Sequence, residues 1–174
     1  MLSLRLGSNI SRKVRSRGPK WENLGLKVAT LGALGKVPLA PGTVASCLGL
    51  LIHLFLQGLP GPWKWGILGF LGVIGIWSAG CAERVLDRKD PPQVVIDEVL
   101  GMTAALAGLG TGLLTLGAAF VLFRILDVLK PPPIREVENI LPGGWAVVGD
   151  DLAAAVGVQL LVRVLGAFWP LLVH

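Results

Sequence analysis

The chain has 174 residues, enough for one domain with an ample core, of which 53% are hydrophobic and only 16% charged. With a mean hydropathy of +0.70, that balance exceeds what a soluble globular surface needs and points to an integral membrane protein. The formal net charge of +5 does not argue for nucleic acid, because the excess sits in one short arm and nothing else in the chain supports such a partner.

That arm is residues 1–20, where Arg5, Arg12, Lys13, Arg15, Arg17 and Lys20 crowd together. It reads as disordered or held against anionic membrane lipids. No cleavable signal is expected, since the first apolar stretch is short and carries Lys27. The remainder, 21–174, reads as a single helical domain. From Trp21 to Leu34 a weak amphipathic helix is expected, with Trp21, Leu24, Val28 and Leu31 on one stripe, suited to an interface.

Gly35 to Thr43 is a loop by its Pro38, Pro41 and Gly42. Val44–Leu59 has no formal charge, with His53 and Gln57 its strongly polar members, and Pro60-Gly61-Pro62 then turns the chain. Trp65–Ala82 is a second uncharged run, flanked by Trp63, Lys64 and Glu83 as membrane-interface chemistry requires. Asp87–Pro92 is a charged loop. Cys47 and Cys81 lie inside apolar runs without CxxC spacing, so neither a disulfide framework nor a zinc site is implied.

The 25 uncharged residues from Val99 to Phe123 admit two readings. One helix would be about 37 Å long and leave Asp97 and Asp127 on opposite sides of a membrane. A break at Gly108–Gly112 would instead fold the run into a hairpin with short arms. Arg84, Arg88 and Lys89 before the run, with Arg124, Lys130 and Arg135 after it, put both ends on the cytoplasmic side and favour the hairpin. Pro131-Pro132-Pro133 stops the helix, a loop runs to Gly149, and Asp150 opens a last apolar helix toward Pro170. The sum is an all-α, membrane-associated bundle of roughly five to seven helices, its 24 glycines suited to close packing in lipid.

Chemistry concentrates at the helix ends. Asp97, Glu98, Asp127, Asp150 and Asp151 are carboxylates bordering apolar runs, where charge is costly and is usually retained for a cation or an ion path. The alternative is capping, which Asp97-Glu98 and Asp150-Asp151 could each provide at a helix start. Since adjacent residues do not share a helix face, one of each pair could cap while the other ligates. Arg124, Asp127 and Lys130 follow i, i+3, i+6 spacing and so share a face, either as an intrahelical ion pair or as a phosphate clamp with Asp127 on a metal. Oxygen ligands without a His or Cys cluster favour Mg²⁺ over zinc. Lys36 with Thr43 and Ser46 resembles an anion cradle before a helix start, without the GK[ST] ending of a Walker loop. His53, isolated among apolar residues, reads as a core histidine.

Other phosphatase chemistries are excluded. Cys47 and Cys81 lack an Arg six residues on, the only histidines are His53 and His174, and no Asp-x-Asp nucleophile exists. The Asp-Gly-x-x-Ala-Arg block of lipid phosphatidyltransferases is also absent.

Four ordered blocks carry a resemblance: Gly35–Ser46 (GKVPLAPGTVAS), Asp97–Met102 (DEVLGM), Phe123–Ile134 (FRILDVLKPPPI) and Gly143-Gly144 leading to Asp150-Asp151-Leu152. Together, over roughly 28–157, they resemble the phosphatidylglycerophosphatase A family. Pro132 departs from the family pattern, which has an aromatic there, and the basic arm lies outside it. The resemblance implies an all-helical, Mg²⁺-dependent phosphatase that converts phosphatidylglycerophosphate to phosphatidylglycerol and phosphate at the bacterial inner membrane. Asp97, Glu98, Asp127, Asp150 and Asp151 would then ligate the metal and supply a base for water, with Lys36, Thr43, Ser46, Arg124 and Lys130 on the phosphate. A non-enzymatic ion or lipid carrier would be expected to hold its acids near mid-span, and a phosphatase for another monoester remains open.

Overall fold

The structure, a computed structural model, describes residues 19–38 and 40–168; almost all of the basic arm lies outside them. Seven α-helices are present among these residues, with no strand: α1 Lys20–Ala29, α2 Pro41–Gln57, α3 Gly61–Leu86, α4 Ile96–Leu106, α5 Leu113–Leu129, α6 Ile134–Ile140 and α7 Gly144–Phe168. A 3-10 turn at Leu34–Lys36 links α1 to α2. The all-helical expectation holds, at the upper end of the expected number.

The short helix α4 is the axis of the bundle. It packs against α2, α3, α5 and α7, and its residues Leu100, Met102 and Leu106 are almost wholly buried. Close approach there depends on missing side chains. A Cβ at Gly49 of α2 would lie 2.6 Å from the Val99 carbonyl oxygen, and one at Gly101 would lie 2.7 Å from the Phe123 ring. Small residues at crossings let helices pack without a hydrophobic drive between them.

The run from 99 to 123 is a hairpin, as its glycines and basic flanks indicate: α4 ends at Leu106 and α5 begins at Leu113. Gly108 takes φ +76°, which a side-chain-bearing residue adopts at a cost. The end of α4 would leave carbonyls unbonded in apolar surroundings. Gln159 of α7 meets this need, its amide nitrogen donating to the carbonyls of Ala104 and Ala107, each at 2.8 Å. Gln159→Leu should therefore destabilise the protein by about 1–3 kcal/mol, read as a lower melting temperature in detergent.

Two expectations need correction. The loop expected over 131–149 contains α6, and α7 starts at Gly144, so Asp150 and Asp151 lie in its second turn and open no helix. Capping is thereby removed as their role. Helix α1 ends at Ala29, short of the expected Leu34; its stripe at Trp21 and Leu24 is exposed, as an interface helix requires, and Gly25 and Ala29 are the buried positions, Gly25 against Ser78 and Cys81 of α3. Small residues decide the packing face, and the large ones are left for the surroundings.

Helices α3 and α7, of 26 and 25 residues, are long and apolar enough to cross a membrane. Phe70 and Val73 on α3, with Val156, Leu160 and Val164 on α7, are exposed. A surface of that composition associates with lipid.

Candidate active site

Three helices deliver carboxylates to one place. Asp97 and Glu98 lie in the first turn of α4, and Asp151 comes from the second turn of α7. One carboxylate oxygen from each lies within 4.8 Å of the other two. Asp127 of α5 adds its charge to the field at Glu98 and Asp151. The hairpin is what allows this, since α4 leaves the cluster and α5 returns to it.

Neighbouring backbones are held unusually close. A Cβ on Gly101 would lie 2.9 Å from the Asp151 Cβ, so that glycine lets α7 carry Asp151 up to α4. At Gly42, in the first turn of α2, a Cβ would lie 2.5 Å from Glu98 Oε1 and 3.2 Å from both terminal nitrogens of Arg124. Gly42 thus opens the start of α2 onto a carboxylate and a guanidinium together.

The cluster is deficient in partners. Asp97 and Asp151 are buried, and Glu98 is largely so. Asp97 Oδ1, Glu98 Oε2 and Asp151 Oδ2 are shielded from solvent and accept no hydrogen bond. Buried polar atoms are almost always satisfied, and buried carboxylates more strictly so. Burial, reinforced by the charge of Glu98, pushes Asp97 well above the usual carboxylate range. Glu98 is also raised, by burial and by Asp127, against an opposing hydrogen bond from Asp97 and the charge of Arg124. Three converging carboxylates, each with one buried oxygen left unpartnered and with no His or Cys among them, fit a hard divalent cation.

The other two carboxylates already have cations. Arg124 donates to Asp127 at 2.5 Å, the i, i+3 pair that the spacing allows. Lys130 pairs with Asp150, with Glu138 at 3.1 Å and, more loosely, with Asp90 at 3.8 Å. Burial opposes the Lys130 ammonium, yet the hydrogen bond and charge of Asp150 outweigh it and raise the pKa, so the side chain stays charged. Asp150 also accepts from the Asp151 backbone N–H at 2.9 Å. Lys130 sits at the end of α5 in the left-handed region, φ +43°, which turns the chain toward α6.

The phosphate-binding candidates divide. Arg124 and Thr43 share the polar end of an open groove of about 510 Å³, walled by Phe120, Val121, Ile125 and Val128. Ser46 is buried and its hydroxyl donates to the Gly42 carbonyl at 2.9 Å, which commits it to its own helix. Lys36 is exposed and lines a separate groove with Lys27 and Gln93. Glu138 and Asp90, which hold Lys130, escape a reading of the sequence. Glu138 is eight residues beyond Lys130 across three prolines, and only helical periodicity in Ile134–Ile140 could have hinted at its return.

A relative in Escherichia coli K12, described as phosphatidylglycerophosphatase A, is 32% identical over 140 residues, covering 79% of this chain and 80% of its own. A Haemophilus influenzae protein of the same description is 30% identical, covering 79% and 85%. A third, from Bacteroides thetaiotaomicron, is 34% identical over 75% and 86%, and carries a provisional description as a phosphatidylinositol-3-phosphatase. No solved structure matches. The pattern of the phosphatidylglycerophosphatase A family matches residues 27–166, a stretch that includes all five carboxylates and both of their cationic partners, and the chain belongs to that family.

Proposed function

We propose that the protein is a Mg²⁺-dependent lipid phosphatase that hydrolyses phosphatidylglycerophosphate to phosphatidylglycerol and inorganic phosphate. The observation that carries this reading is the set of three unpartnered carboxylate oxygens on Asp97, Glu98 and Asp151 beside the Arg124 guanidinium. Those three residues would hold the cation, with Asp127 and Asp150 joining only if released from Arg124 and Lys130. When bound, the metal would polarise the phosphoryl group and make an attacking water more acidic.

The chain's own residues account for the rest. Arg124, at the mouth of the apolar groove, receives phosphate oxygens, and Asp127 holds its guanidinium in line. Lys130, kept charged by Asp150 and Glu138, supplies a second positive group. A carboxylate of the cluster not engaged by the cation would accept the proton of the attacking water. Water adds to phosphorus, the ester oxygen leaves with a proton, and the products are the lipid alcohol and phosphate. The groove along Phe120, Val121, Ile125 and Val128 suits an acyl chain, which favours a lipid over a soluble ester. A carrier with acids along a transmembrane path fits less well, because the acids are gathered at one end of the bundle.

The site is read as facing the cytoplasm at a bacterial inner membrane, from the basic residues at 84–89 and 124–135. Single cysteines at Pro92, Gly110 and Pro133, in a chain lacking Cys47 and Cys81, test this. Pro92 and Pro133 should label from the cytoplasmic side and Gly110 should not. Labelling of Pro92 and Pro133 from opposite sides would exclude a shared site.

Substrate class is tested by phosphate release from phosphatidylglycerophosphate, phosphatidylinositol-3-phosphate and a soluble glycerol phosphate, with Mg²⁺ or with chelator. Activity should be greatest on the first lipid, vanish in EDTA and return with Mg²⁺. Undiminished turnover in EDTA would remove the metal assignment. Preference for the inositol lipid would move the substrate to that of the Bacteroides description.

A further inference from the structure

At the end of the bundle away from the carboxylates lies a second cavity, of about 440 Å³, between the α2–α3 turn and the α4–α5 connection. Along α7, Asp151 and Arg163 are 12 residues apart, about 18 Å by helix rise. One phosphate cannot span that distance, so this cavity is separate from the site described above.

The cavity has a polar side and an apolar side. Buried His53 faces Gln57 nitrogen to nitrogen at 2.9 Å, and Gln57 Oε1 accepts from the Lys64 ammonium at 3.1 Å. That chain draws Lys64 along the cavity wall, half-buried, rather than out from the surface. Arg163 approaches from α7: its Nη2 is 3.8 Å from where a Cβ on Gly108 would lie, and Gly108 lines the cavity. Leu56, Trp65, Leu68 and Leu109 form the apolar wall.

Charge identifies the occupant. None of the eleven acidic residues falls in 50–82, 99–126 or 152–168, the stretches that hold every residue lining the cavity together with Arg163. Lys64 lines the cavity and Arg163 stands exposed beside its Gly108 edge, and none of the lining residues is a carboxylate. One cation held on a wall of Leu and Trp and a second at its edge, at the ends of helices that are apolar on their outer faces, match an amphiphile with an anionic head.

We propose that this cavity is a second lipid site, which binds the anionic headgroup of a phospholipid from the membrane layer opposite the carboxylate cluster. Lys64 and Arg163 contact the phosphodiester, Gln57 positions Lys64, and Trp65 lies against the first carbons of the chains. The proposal rests on membrane association alone and stands whether or not the carboxylate site acts on phosphatidylglycerophosphate.

The test uses the full chain in neutral detergent, titrated with phosphatidylglycerol or phosphatidylcholine brominated on the acyl chains. Quenching is followed in the wild type and in Trp65→Phe, so that the Trp65 contribution is the difference between them. Phosphatidylglycerol should quench Trp65 saturably, and Lys64→Gln with Arg163→Gln should raise the half-saturating concentration roughly 10-fold or more. Lys64→Arg with Arg163→Lys should restore it, which separates loss of charge from loss of fold. Phosphatase activity should be retained in both pairs, since neither residue is near the carboxylates. Equal quenching by phosphatidylcholine, or a half-saturation indifferent to both charge-removing substitutions, would overturn the proposal. So would displacement of the lipid by millimolar inorganic phosphate, which would mark a simple anion site open to water.

Discussion

Asp151→Asn is expected to lower kcat by at least ~100-fold, the scale of loss when one group stabilising a charged transition state is removed, while the protein folds and, without divalent cation, melts no lower than wild type. The two outcomes have one cause. Asp151 is buried with an oxygen that accepts no hydrogen bond, in the field of Asp97, Asp127 and Glu98. An arrangement of that kind costs stability and is retained where function uses it. The neutral amide has nearly the same shape and removes one repelling charge. Asp97→Asn should behave alike. Asp127→Asn should also cost ~100-fold, but its pattern is diagnostic because Asp127 is paired with Arg124. If Asp127 only orients Arg124, KM rises and the Mg²⁺ concentration for half-activation stays put. If it ligates, that concentration shifts. Full activity in Asp151→Asn would remove the cluster from the chemistry.

Sequence chemistry reveals the parts of this site that depend on local signals. Gly108–Gly112 breaks an apolar run, and basic residues at both of its ends favour placing them on one side, so the α4–α5 hairpin and the return of Asp127 toward Glu98 follow from neighbours in the chain. The start of α7 does not. Pro142-Gly143-Gly144 reads as loop because of its composition, yet Gly144 is the first residue of α7, packed so tightly on α3 that a Cβ would lie 2.7 Å from the Gly80 nitrogen. Glycine here serves close approach as well as a turn, and only the partner helix distinguishes the two. Helix α6 is similar. Seven residues cannot sustain a helix alone, and α6 exists because it packs on α7, with Val137 facing Gly149. Its Glu138 then reaches Lys130, a contact that no spacing rule anticipates. The pairing of Asp97 with Glu98 breaks a local rule outright. Adjacent residues point about 100° apart on a helix, yet both reach one point.

The same excess of charge should make stability fall as pH rises when divalent cations are removed. Burial and the charge of Glu98 raise Asp97, and burial with Asp127 raises Glu98, so the folded protein binds these protons more tightly than the unfolded chain does. Where the native state holds more protons, unfolding free energy decreases with pH. The contribution is therefore complete below the unfolded carboxylate values, about 4, and is lost as pH climbs through the raised folded values. Lys130 does not reverse the trend: its raised pKa keeps it charged throughout this window, so its proton count is constant. In EDTA the melting temperature should be highest in mild acid and decline toward neutral and alkaline pH. With millimolar Mg²⁺ the decline should flatten, because a cation binding the deprotonated cluster stabilises the state that proton loss otherwise weakens. Asp97→Asn should lessen it too, with or without Mg²⁺, having one such proton fewer to lose. Melting measured across pH 5–9 in three samples, wild type with EDTA, wild type with Mg²⁺ and Asp97→Asn with EDTA, decides the matter. A wild-type profile in EDTA that rises with pH would mean that the three carboxylates are satisfied within the protein, and the cation site would have to be sought elsewhere.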